Sequence, residues 1–171
     1  MATKAGTHDV AGDRNCCASC SASAAVPEHA GVNLPGIATV VRYRDLPALD
    51  CHGDKLGVGL HLGPTGWMEW RTAEQDARRL PVPSDSLSLV PAGISYWWRR
   101  DQPSELVLVE LESSFVAGVA RNTDAPVLRA MPVFQDRAIA HILSALREEI
   151  RDGCRSGHRY GTALCTALVI H

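Results

Sequence analysis

The residues able to do chemistry in this sequence are a cysteine cluster, scattered histidines and carboxylates, and a group of aromatics. Cys17 and Cys20 form a C-x-x-C, with Cys16 beside it. That spacing suits half of a zinc site or a redox pair. A structural zinc needs four ligands, and no second C-x-x-C or H-x-x-x-H follows. The flanks are Ala and Ser, so the cluster reads as chance composition. There is no H-x-H, and His61 with Glu69 or Glu110 falls short of a three-ligand site. No G-x-S-x-G, P-loop or dinucleotide fingerprint is present. Ser, His and Asp occur without a spacing that links them. The expectation is no catalytic residue, no metal and no cofactor: the chain is predicted not to be an enzyme.

Binding is the better-supported chemistry. A small-molecule cavity is apolar, with a few polar groups that orient the ligand. Trp67, Trp70, Tyr96, Trp97 and Trp98 all lie in predicted strands. Strand alternation puts Trp67 and Glu69 on one face, and Met68 and Trp70 on the other. Tyr96 and Trp98 share a face that Trp97 does not. The candidate ligand-binding residues are therefore His61, Trp67, Glu69, Trp70, Tyr96 and Trp98. The competing reading makes the same side chains ordinary core. Arg99-Arg100 reads as a solvated strand end before a turn at Asp101-Gln102-Pro103, rather than an anion contact. His52 and His141 read as surface or interface residues.

These residues need elements to position them. Residues 1 to about 35 are rich in Ala, Gly and Ser, without an apolar period, which predicts a disordered tail. Short strands with turns between them follow to residue 112. They are Ile37–Arg44, Leu56–Leu62, Trp67–Arg71, Ala77–Val82, Ser86–Val90, Ile94–Arg100 and Ser104–Glu112. Leu56, Val58, Leu60 and Leu62 share one face of their strand, and Gly57, Gly59 and His61 the other. Many short strands at close spacing predict a sandwich or barrel. A short helix then covers Phe115–Arg121, and residues 123–132 form a connection. Asp136 caps a helix from Arg137 to Asp152, ended by Gly153. Its Ile139, Leu143, Leu146 and Ile150 recur at helical spacing. Tyr160–His171 repeats the pattern with Leu164 and Leu168.

With 171 residues the chain suits one domain with a proper core. Its net charge of -2 leaves no basic footprint for a phosphate backbone. No apolar run approaches the roughly 20 residues of a membrane span, and no secretory signal is present. A cytoplasmic location is the expectation.

Two runs carry a family resemblance. SDSLSLVPAGISYWWR is similar to the barrel segment of AraC-type sensor domains. VFQDRAIAHILSALREEIRDGCRSGHRYGTALCTALVIH resembles the two-helix segment after that barrel. The similarity covers roughly the last three quarters of the chain. It implies an α+β fold, a cupin-like β-barrel of jelly-roll type over residues 36–112, followed by two to three α-helices over 113–171. It further implies a small-molecule effector and a homodimer. The dimer contact would use Ile139, Leu143, Leu146, Ile150, Leu164 and Leu168, unless that stripe packs only on its own barrel. DNA would be reached only through a C-terminal domain beyond His171, because the chain ends inside an apolar helical pattern as a truncated protein would. Metal cupin enzymes are the rival. Their second motif ends in His, where this chain has Pro91-Ala92-Gly93-Ile94-Ser95-Tyr96. A third reading is a partner that forms mixed dimers with full-length regulators.

Overall fold

In the computed structural model, residues 20–21, 30–120 and 128–171 are described. The strands are β1 (Cys20–Ser21), β2 (Ala30–Leu34), β3 (Ala38–His52), β4 (Leu56–Leu62), β5 (Gly66–Thr72), β6 (Gln75–Val82), β7 (Ser86–Val90), β8 (Ser95–Leu111) and β9 (Met131–Phe134). The helices are α1 (Ser113–Val119), α2 (Arg137–Arg151) and α3 (His158–Ile170).

Two long strands organise the sheet. The first half of β3 pairs with the second half of β8, Ala38 opposite Leu111 through Tyr43 opposite Leu106. The second half of β3 pairs with the first half of β8, from Ala48 opposite Arg99 to His52 opposite Ser95. Between them the register shifts at Leu46, close to Pro103 on β8. Proline has no N–H to donate, so it sits where a ladder breaks. β4 joins the second half of β8, and β5 the first half. The sheet thus folds over on itself. The inner face packs Val41, Tyr43, Leu106 and Leu108 from one half against Leu49, Met68, Trp70 and Trp98 from the other.

The opposite face of the first half is covered by helices. Val40, Val58, Leu60, Val107 and Val109 pack with Leu143, Leu146, Ile150 and Leu168. Both faces of this half are therefore apolar. The helical segment shares a core with the strands rather than standing apart. Asp136 caps α2, its carboxylate accepting from the backbone N–H of Ala138 and Ile139 at 2.9 and 3.0 Å.

A charged clamp reinforces that docking. Glu105 on β8 accepts from Arg42 Nε at 2.7 Å and Nη2 at 3.1 Å. It also accepts from Nε and Nη2 of Arg147 on α2. Burial pushes the Glu105 carboxyl up, but the hydrogen bonds and charges of Arg147 and Arg42 outweigh this and hold it at about 2. Its stabilising contribution is thus complete above the usual 4.5 and is lost as pH falls from there towards about 2. Glu105→Gln should lower the unfolding free energy at pH 7 by about 2 kcal/mol, because two arginines lose their counter-charge in a half-buried site. Urea titration of wild type and variant checks this.

Several expectations need correction. Among the described residues the architecture is β-rich and mostly antiparallel, as expected, with nine strands where the sequence predicts seven, and three helices. Ladder closure into a barrel is not seen among the described residues. Hydrogen-bonded strand order runs β1-β3-β8-β4-β7-β9, with β2 on β3 and β5–β6 branching from β8. Order also begins before Pro35: β2 lies within the predicted disordered tail, its five residues paired to β3. Residues 95–111 form one strand, not two, because β8 crosses its irregular stretch without leaving the sheet. β9 lies partly in the predicted connection. Pro132 argues against a strand in the sequence but is tolerated on an edge, where among the described residues β9 pairs with β7 alone. Cys16 and Cys17 lie outside the described residues.

Candidate functional site

The enclosed face between the two halves of the sheet gathers the chemistry. His61 stands on the face of β4 opposite Val58 and Leu60, and is 1% exposed. Its Nε2 is 3.1 Å from Ser88 Oγ on the neighbouring β7. Its ring meets Trp98 edge-on, centroids 5.3 Å apart. Gly59 makes this approach possible: a Cβ there would sit 2.6 Å from Ser88 Oγ and 3.1 Å from Leu106 Cδ1. Burial, with the positive charge of Arg100, lowers the imidazole to about 3. His61 is therefore neutral at physiological pH, one ring nitrogen a donor and the other an acceptor. Beside it Trp70 stacks on Tyr96 at 5.0 Å and 22°. Tyr96 follows the Pro91-Ala92-Gly93 turn, where Gly93 takes a φ of +85° that favours glycine.

Of the six predicted ligand-binding residues, the fold brings four together: His61, Trp70, Tyr96 and Trp98. Trp67 and Glu69 point the other way, as their alternation requires. Trp67 is 44% exposed, with the Arg79 guanidinium 5.0 Å from its ring centroid. Glu69 accepts from Arg99 at 2.7 Å. They line an outer depression of about 600 Å³ with Arg79, Arg99, Arg100 and Asp101, so Arg100 borders both this depression and the inner face.

Sequence reasoning missed Arg100. Treated with Arg99 as a solvated strand end, it is instead buried at 5% exposure, while Arg99 is exposed. The signal was available: Arg100 shares parity with Tyr96 and Trp98. Its Nη2 donates to the Pro64 carbonyl at 2.9 Å. Ser88 and Ser104 are buried and were also missed.

The helical stripe is accounted for inside the chain. Leu143, Leu146, Ile150 and Leu168 are buried in the core shared with the sheet, and Ile139 and Leu164 are partly buried against it. These side chains are occupied by their own sheet.

A cupin metal does not fit these residues. His61 is a single imidazole held by Ser88 and Trp98, and Tyr96 stands where the metal motif places His. Among the described residues no three His, Cys, Asp or Glu side chains group as a metal site. Among them, too, no helix is long and apolar enough to cross a membrane.

No family model and no curated protein sequence matches the chain. Solved structures do resemble it, at low identity. A cupin domain from Bordetella pertussis Tohama I is 14% identical over 53% of this chain and 100% of its own, with a TM-score of 0.41. The AraC-like transcriptional activator CuxR is 16% identical over 82% of this chain and 54% of its own, with a TM-score of 0.49. An oxalate decarboxylase is 13% identical over 64% of this chain and 37% of its own, with a TM-score of 0.41. This likeness assigns no activity. It does correct the expectation that the chain is not an enzyme. The similar structures include oxalate decarboxylases as well as an AraC-like activator, and enzyme status is not established.

Proposed function

We propose that this chain is the effector-sensing and dimerising module of an AraC-like transcription regulator, with DNA contact left to a domain outside these residues. One observation carries the reading: on one face of the folded sheet Trp98 meets a neutral, buried His61 edge-on and Trp70 stacks on Tyr96, and polar atoms of that face lack partners. A ligand site combines such an apolar lining with a few directional polar groups. The resemblance of residues 84–99 and 133–171 to AraC-type sensors supplies the regulatory context. Dimerisation draws support from α3, where Tyr160 is 41% and Ile170 73% exposed. With Ala163 and Ala167 they leave an apolar strip that a second copy would cover.

A thermal-shift screen of neutral and charged metabolites tests the reading. A genuine effector near 100 times its Kd should raise the midpoint by roughly 5–10 °C. It should also change the tryptophan fluorescence, and Trp98→Leu should abolish both responses. A screen in which no compound of any charge shifts the midpoint would sink the proposal, as would a strictly monomeric chain in sedimentation.

A further inference from the structure

We propose that Arg100, His61 and Ser104 form a subsite for an oxyanion, the carboxylate or phosphate head of a small molecule whose body lies against Trp98, Trp70 and Tyr96. This rests on the reading of the enclosed face as a ligand site, and names the class of ligand it takes.

Three buried side-chain atoms have no hydrogen-bond partner: His61 Nδ1, Arg100 Nε and Ser104 Oγ. Their residues are 1%, 5% and 3% exposed. Topology gathers them at one end of the enclosed face, around the turn after β4. Arg100 reaches the Pro64 carbonyl in that turn. Ser104 Cβ lies 3.6 Å from where a Cβ on Gly63 would be. His61 pairs with Leu106, two residues along β8 from Ser104 and on the same face. The positive charge of Arg100 is felt at His61.

Arg100 lacks a carboxylate ligand in this setting. The carboxylate of Glu105 is taken by Arg42 and Arg147, and that of Asp101 accepts from the Trp67 backbone. No ion pair to Arg100 exists among the described residues. The Asp101 charge acts on Arg100 without pairing with it, and burial outweighs that charge and lowers the guanidinium pKa. A buried guanidinium without a contacting carboxylate is costly. An anion would resolve all three vacancies at once. The Nε–H of Arg100 can donate one charge-assisted hydrogen bond to an oxygen of a carboxylate or phosphate. The Ser104 hydroxyl donates. When Ser88 donates to Nε2, the neutral His61 carries its proton on Nδ1 and donates as well.

The test is calorimetric titration of the chain with benzoate, phenyl phosphate and the neutral isostere benzamide. At least one of the two anions should bind tenfold or more tightly than benzamide, and which one does so names the head. Arg100→Met should bring that preference below threefold. Should Arg100→Met fail to fold, Ser104→Ala is expected to weaken the anion severalfold, and the Arg100 Nε–H resonance of wild type should move on binding. Benzamide binding as well as the anions overturns the subsite but keeps the enclosed face as a ligand site. The same holds if all three fail while a neutral metabolite binds and Trp98→Leu abolishes it. A preference that persists in Arg100→Met also overturns the subsite. Failure of every compound removes both proposals.

Discussion

Lowering the pH from 6.5 to 4.5 should cost the wild-type chain about 2–3 kcal/mol more stability than it costs a His61→Asn variant. Burial, then the charge of Arg100, holds the imidazole at about 3 in the folded state, against a usual 6.5. Between these values the unfolded chain binds a proton that the folded chain refuses. Stability is therefore complete above pH 6.5 and falls with pH through the window below it. Each pH unit there removes about 1.4 kcal/mol, the free energy of one proton. Stopping at 4.5 keeps Glu105 out of the measurement, since its own loss begins below its usual value. The variant is less stable at every pH because it gives up the Trp98 contact, so the quantity to read is the slope. Urea unfolding at half-unit pH steps supplies it. Parallel slopes for the two proteins would show that His61 takes up its proton in the folded state, and the buried neutral imidazole would be refuted.

Leu143→Ala is expected to lower the unfolding free energy by about 3 kcal/mol. Leu143 is fully buried in the core that α2 shares with the sheet, alongside Val58, Leu60, Val107 and Val109. Truncation leaves a cavity between two stiff layers held in register by the Glu105 clamp, so little collapse is available to offset it. The same variant separates two roles for the helical stripe. Its effect should appear as lost stability, with the association constant of any dimer unchanged among the folded molecules. Ile170→Ser on the exposed strip should do the reverse. A Leu143→Ala protein that keeps its stability but dissociates would place the stripe at a subunit contact. Chemical denaturation and sedimentation velocity on both variants decide it.

Much of the candidate site was legible in the residues. Alternation separated Gly57, Gly59 and His61 from Leu56, Val58 and Leu60, and Trp70 from Trp67, as the structure has them. The helix boundaries of α2 followed from Asp136 and Gly153, because caps are local chemistry. Misses came where non-local pairing overrode a local signal. Pro103 and its neighbours look like a turn, yet the chain continues as β8 because β3 and β5 hold it on either side. Pro132 looks like loop, yet β7 offers it an edge.

By itself the sequence determined parity: which side chains share a face of each strand, and where the amphipathic helix begins and ends. These follow from periods of 2 and 3.6 that any observer can count. Only the tertiary structure decided which face is enclosed. In the half of the sheet formed by β4 and the end of β8 both faces are apolar, one closed by the folded sheet and the other by α2 and α3. Hydrophobicity there does not distinguish them. The choice comes from the bend at Leu46 and Pro103, which turns Arg100 inward with Trp98 and leaves Trp67 and Glu69 outside.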